Sequence, residues 1–145
     1  MQTGTFALLL KDHELVKGII EELLDTPVSA RKRRQELLTT LKQELQGHEN
    51  LEERVVYPAL ESRKSTQGLT LEAYQEHHVV DVLLEELESL DFRDDDWKAK
   101  LKVLQENLLH HVREEEDELF PKAEKVLSRD QLQRIEQQIG QAKGA

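Results

Sequence analysis

His48 is followed four residues later by Glu52, and 63 residues downstream His111 is followed four residues later by Glu115. Both pairs open the same local pattern: a further glutamate (Glu53, Glu116), an aromatic nine residues after the histidine (Tyr57, Phe120), then a proline (Pro58, Pro121). On an α-helix, residues four apart lie one turn above each other, so an imidazole and a carboxylate spaced this way point at one centre. That is ligand chemistry. Imidazole with carboxylate suits iron, manganese, zinc or cobalt, and two carboxylates shared between ions would hold them roughly 3.5–4 Å apart.

One such pair carries little weight, because 21 of 145 residues are glutamate and a histidine meets one four residues on by chance. The duplication changes this. His13 precedes His48 by 35 residues and His77 precedes His111 by 34, and apolar residues follow His13 and His77 at the same offsets: Ile19, Ile20 and Leu23 against Leu83, Leu84 and Leu87. Each half therefore carries one histidine and one His-x-x-x-Glu, as an internal repeat. Four imidazoles and two carboxylates on apolar stripes would converge in a dry interior, where free carboxylates need compensation that a divalent metal supplies.

The elements that must position these residues are helices. The chain is 34% charged, with six glycines and three prolines, and helix formers dominate it. Apolar spacing predicts a first helix from about Thr5 to Leu24, a second from Ser29 to Leu60, a third from Thr70 to Leu90 and a fourth from Trp97 to Leu127. Ser62–Gly68 reads as a loop with Thr70 as the cap beyond it, and Asp91–Asp96 as an acidic turn. Ser128 with Gln131 forms a capping box opening a short tail helix, and Pro58 and Pro121 are expected to kink or end their helices. The expected fold is all-α: an up-down-up-down four-helix bundle with a short fifth helix. Residues 1–145 are expected to form one domain, with repeats at about 5–60 and 70–127 and a tail at 128–140.

His78 and His110 stand one residue, about 100° of helix, from the inward stripe and are read as partners of the ligands or as surface residues. His110 has Glu114 four residues later, which offers a competing register, but Leu101, Leu104 and Leu108 favour His111. Glu49, Glu53, Glu114 and Glu116 are read as solvated charges, with Glu49 near enough to His48 to shift onto a metal.

A formal charge of −10 repels phosphate backbones and anionic headgroups, so neither nucleic acid nor membrane is expected as a partner. The absence of cysteine excludes disulfides, thiolate zinc and iron–sulfur clusters. No apolar run reaches 18 residues and Phe6–Leu10 lacks the flanks of a signal peptide, so a cytoplasmic location is expected.

Taken together, these residues resemble the hemerythrin-like, His-His-Glu cation-binding domains over essentially the whole chain. The resemblance implies a non-haem di-iron centre with His13, His48, Glu52, His77, His111 and Glu115 as ligands and the two glutamates bridging. Oxygen-carrying members of the family have a fifth histidine in a His-x-x-x-His third helix and end the fourth-helix motif with aspartate. Here Asp81 stands at the first position and Glu115 serves at the second, so the chain is similar to the bacterial four-His, two-Glu branch. Six protein ligands leave open positions for water, hydroxide or an oxo bridge. The implied function is to bind, sense or react with O2, nitric oxide or peroxide. The alternatives are an enzyme detoxifying peroxide or nitric oxide, or a protein of iron storage or delivery.

Overall fold

The computed structural model describes residues 4–144, and among them every regular element is helical. Helix α1 spans Ala7–Asp25 and α2 spans Arg31–Leu51, which runs through a π-helical turn at Glu52–Val56 into α3, Tyr57–Glu61. Helix α4 spans Lys64–Ser89 and α5 spans Asp95–Glu114, which runs through a second π-turn at Glu115–Leu119 into α6, Phe120–Val126. Helix α7, Arg129–Ala142, closes the chain. The two interrupted rods together with α1 and α4 make the four-helix bundle, and α7 is the fifth helix. Ser128 caps α7 through the reciprocal bonds with Gln131 that the sequence predicts.

The apolar side chains form two clusters rather than one. Val16, Leu41, Leu84, Trp97, Leu101 and Leu104 belong to a core at the end of the bundle that holds the α1–α2 and α4–α5 turns. Phe6, Leu9, Tyr57, Leu60, Phe120 and Ile139 belong to a second core, which α7 helps to cover. Along every long helix the sequence passes from one cluster to the other, and the histidine lies at the seam: Leu9, His13, Val16 on α1, and Ala73, His77, Val80 on α4. The bundle thus holds a polar layer between two apolar ones. At the far end Arg34, 2% exposed, donates to Thr26 O at 3.0 Å and to Phe92 O and lies 4.5 Å over the Trp97 ring, joining the two turns.

Two local expectations are corrected. Only Ser62 and Arg63 lie outside helix in the expected Ser62–Gly68 loop, and Thr70 is not a cap. The polar appearance of this stretch hides buried hydroxyls: Thr66 donates to Leu60 O at 2.7 Å and Thr70 to Thr66 O at 2.7 Å, so both fit an inward helical face. The prolines neither end nor break their rods. The turn before each one widens, so that Tyr57 N–H bonds to Glu52 O and Phe120 N–H to Glu115 O, five residues back. A wider turn takes up the strain that a proline ring imposes on an α-helix. Glu52 and Glu115 are the first residues of these widened turns.

Leu104 is fully buried while its neighbour Val103 is 45% exposed. Leu104→Ala is therefore expected to cost about 2–5 kcal/mol in urea unfolding. Val103→Ala is expected to stay within about 0.5 kcal/mol. Equal effects at the two positions would contradict this placement of the α5 face.

Candidate metal centre

Each expected ligand comes from its own helix turn. His13 lies on α1, His48 on α2, His77 on α4 and His111 on α5, while Glu52 and Glu115 open the two π-turns. All six are buried, none more than 6% exposed. Their donor atoms fall into two groups, His13 with His48 and His77 with His111, and both groups include Glu52 and Glu115 within 4.8 Å. The paired imidazole rings are 4.9 Å apart in one group and 4.8 Å in the other. His110 is 61% exposed and outside this layer, where it contacts Glu76 and Glu114, and His78 is exposed.

The inner contacts run from imidazole Nε2 to carboxylate. His13 Nε2 is 3.1 Å from Glu115 Oε1, His77 Nε2 is 3.1 Å from Glu52 Oε1, and His48 Nε2 is 3.3 Å from Glu52 Oε2. His111 Nε2 lies 3.5 Å from Glu115 Oε2. Nε2 of His48 and of His111 and Oε2 of Glu52 are nevertheless buried without an aligned hydrogen-bond partner. Three orphaned polar atoms facing one point are costly in a dry interior. A cation accepting their lone pairs removes that cost, so the residues fit a metal.

The outer nitrogens explain why the lone pairs face inward. His48 Nδ1 is 2.8 Å from Asp12, His111 Nδ1 is 2.6 Å from Glu76, His13 Nδ1 is 2.7 Å from Glu116 and His77 Nδ1 is 2.7 Å from Glu53. An imidazole that donates Nδ1–H to a carboxylate is fixed in orientation and keeps its Nε2 lone pair for a metal. These four carboxylates obey the repeat. The residue before the histidine of α1 or α4 serves the histidine of α2 or α5, and the residue after each π-turn glutamate serves the histidine of α1 or α4.

Glu53 and Glu116 are thus corrected from solvated charges to imidazole partners. Asp12 and Glu76 escaped the sequence reading, although their signal was present in the matching Asp12-His13 and Glu76-His77. Glu49 is also corrected: it is 7% exposed and faces Asp81, away from the ligand groups. Burial pushes its carboxyl up to about 10, and the facing Asp81 adds to the rise. Glu114 is half-buried, and burial together with Glu76 pushes it up to about 7.

Tyr57 is the remaining residue that sequence reasoning missed. Its hydroxyl has one proton to share between Glu52 Oε1, 3.1 Å away, and the nearer Glu115 Oε2, and lies 3.3 Å from His77 Nε2. The repeat places Phe120 at the same offset, stacked on Phe6 with ring centroids 4.3 Å apart and carrying no polar atom. The aromatic position of the repeat therefore carries a polar group in the first half only.

Fold and centre together define a helical bundle whose interior His/Glu cluster is able to hold metal. The chain belongs to the hemerythrin family, the hemerythrin HHE cation binding domain, whose pattern matches residues 5–123. The fold is similar to that of a hemerythrin HHE cation binding domain-containing protein of Mycobacterium kansasii, with a TM-score of 0.81 and 23% identity over 98% of this chain and 86% of that one. In sequence the chain is 29% identical, over 92% of its length, to a DNA nickase of Nostoc sp., and it spans 41% of that protein. Among the described residues no helix is long and apolar enough to cross a membrane.

The metal-free centre has a defined pH response. Burial works to lower the His48 imidazole, but the charge of Glu52 and the Asp12 hydrogen bond overcome it and raise it to about 10 from 6.5. The stability this imidazolium contributes is complete below 6.5 and is lost as pH rises towards 10. Glu49 acts in the same direction, since the folded chain keeps a proton that the unfolded chain releases above 4.5. Glu52, where burial is outweighed by the His48 charge and by hydrogen bonds from the surrounding imidazoles, is held below 4.5 and loses its contribution as pH falls. Thermal melts of chelator-treated protein should therefore show Tm highest under mildly acidic conditions and falling between pH 6.5 and 10. A Tm that rises across that window would contradict these assignments.

Proposed function

We propose that this protein holds two non-haem iron ions and uses them to bind, sense or react with O2, nitric oxide or peroxide. One observation carries the reading: Glu52 and Glu115 belong to both ligand groups, so two positions share both carboxylates. A single ion would leave one pair of imidazoles unused. His13 and His48 would hold one ion, His77 and His111 the other, and the glutamates would join them. Iron bound there supplies one-electron redox chemistry and open coordination positions.

The chain's own residues have definite tasks in this reading. Asp12, Glu53, Glu76 and Glu116 fix the imidazole rings and keep their protons on Nδ1. The two apolar clusters on either side limit water. Tyr57 places a phenolic hydroxyl among the ligand atoms, where it would be positioned to hydrogen-bond a small molecule held at the centre or to supply it with a proton.

That hydroxyl favours a second reading as a detoxifying enzyme for peroxide or nitric oxide, since reduction of either consumes protons. Storage or delivery of iron requires no such group. The chain spans only 41% of the DNA nickase it resembles, and its charge of −10 works against a phosphate backbone, so the reading proposed here is small-molecule chemistry at the metal centre and not DNA cleavage. Repeated turnover with spectral recovery would distinguish the enzyme from a binding or sensing protein.

Iron loading of the apo-protein is expected to reach two ions per chain by metal analysis, and saturation at one would defeat the dinuclear assignment. His111→Ala should lose iron while His110→Ala keeps most of it, and the reverse result would move the α5 register by one residue. The reduced, loaded protein should react with O2 or peroxide to give an oxidised form absorbing in the near ultraviolet. Full return to the colourless form on simply removing oxygen would point instead to a reversible carrier.

A further inference from the structure

The four carboxylates behind the imidazoles are not equivalent. Side-chain exposure is 11% for Asp12, against 21% for Glu76, 31% for Glu116 and 39% for Glu53. Among the described residues Asp12 is also the one of the four that meets an ammonium group. Its Oδ2 accepts from His48 Nδ1 at 2.8 Å, while its Oδ1 accepts from Lys143 Nζ. Lys143 follows α7, and the Hemerythrin match ends at residue 123. The contact is therefore made from outside the matched domain, across 131 residues of sequence.

We propose that Lys143 is a positioning residue of the centre, holding Asp12 behind His48 and drawing off part of its charge, so that the two metal positions become electronically unlike. The inference rests on the dinuclear reading above. A carboxylate that shares its charge with an ammonium pulls less strongly on the imidazole proton, and the imidazole is then a poorer electron donor through Nε2. The His13–His48 position is therefore the more electron-poor of the two. The low exposure of Asp12 makes this pair more effective than a solvated one, because water screens it less. Among the described residues no lysine meets the mirror carboxylate: Glu76 faces Glu114 and the exposed His110. Lys143 takes no part in either apolar cluster and borders an open cleft of about 500 Å³ with His48 and Arg54 on its walls, so replacing it leaves the core packing in place.

The test compares Lys143→Met with Lys143→Arg. In metal-free protein labelled with ¹⁵N at histidine, the methionine variant should shift the Nδ1–H resonance of His48 and leave those of His13, His77 and His111 in place, with the arginine variant close to wild type. In iron-loaded protein the methionine variant should bind the same amount of iron with a reduction potential shifted to lower values, and arginine should restore it. An unmoved His48 resonance, or an unmoved potential at full occupancy, would overturn the proposal. Failure of the wild-type chain to take up a second ion would defeat the dinuclear reading instead, and the metal-free spectra would still decide the role of Lys143.

Discussion

Two carboxylates buried within reach of the same imidazoles are the constraint on which this molecule turns. Glu52 and Glu115 are at most 1% exposed, and among the described residues neither has a lysine or arginine against it. Charge buried in this way must be compensated. Without metal, protons do part of the work: burial works to lower His77 and His111, but Glu52 and Glu115 outweigh it and raise both imidazoles. With metal, two cations would do it more completely. Each π-turn begins at one of these glutamates, and its wider winding takes up the proline beyond it without ending the rod.

The apolar architecture serves that layer. Two clusters lie on either side of the histidines, so each helix is anchored by close packing both before and after its ligand. Packed cores tolerate little displacement, which keeps the donor atoms in register. Outside the imidazoles a ring of four carboxylates follows the same duplicated logic as the ligands. Two departures from the duplication stand out: Tyr57 has Phe120 as its counterpart in the second repeat, and Lys143 reaches Asp12 on one side only.

The helices and the inward stripe were legible in the sequence because apolar spacing and histidine spacing agree. Leu101, Leu104 and Leu108 point the same way as His111, and that agreement is what separates His111 from His110. The loop at Ser62–Gly68 was misread because serine, threonine and glycine favour turns locally, whereas buried Thr66 and Thr70 satisfy their hydroxyls on helix carbonyls. Glu53 and Glu116 were misread because a glutamate beside a ligand is solvated unless another helix brings an imidazole to it. That pairing joins residues 24 and 103 positions apart, and no local pattern encodes it. Tyr57 was hidden by its match with Phe120, which made it look like packing.

In the proposed centre both buried glutamates are shared by two ions. A crystal structure of the iron-loaded protein, with anomalous scattering measured at the iron edge, addresses it most directly. Two anomalous peaks roughly 3.5–4 Å apart are expected. One should be bonded to Nε2 of His13 and His48, the other to Nε2 of His77 and His111, and both to Glu52 and Glu115. A single peak, or two peaks that do not share those carboxylates, would contradict it.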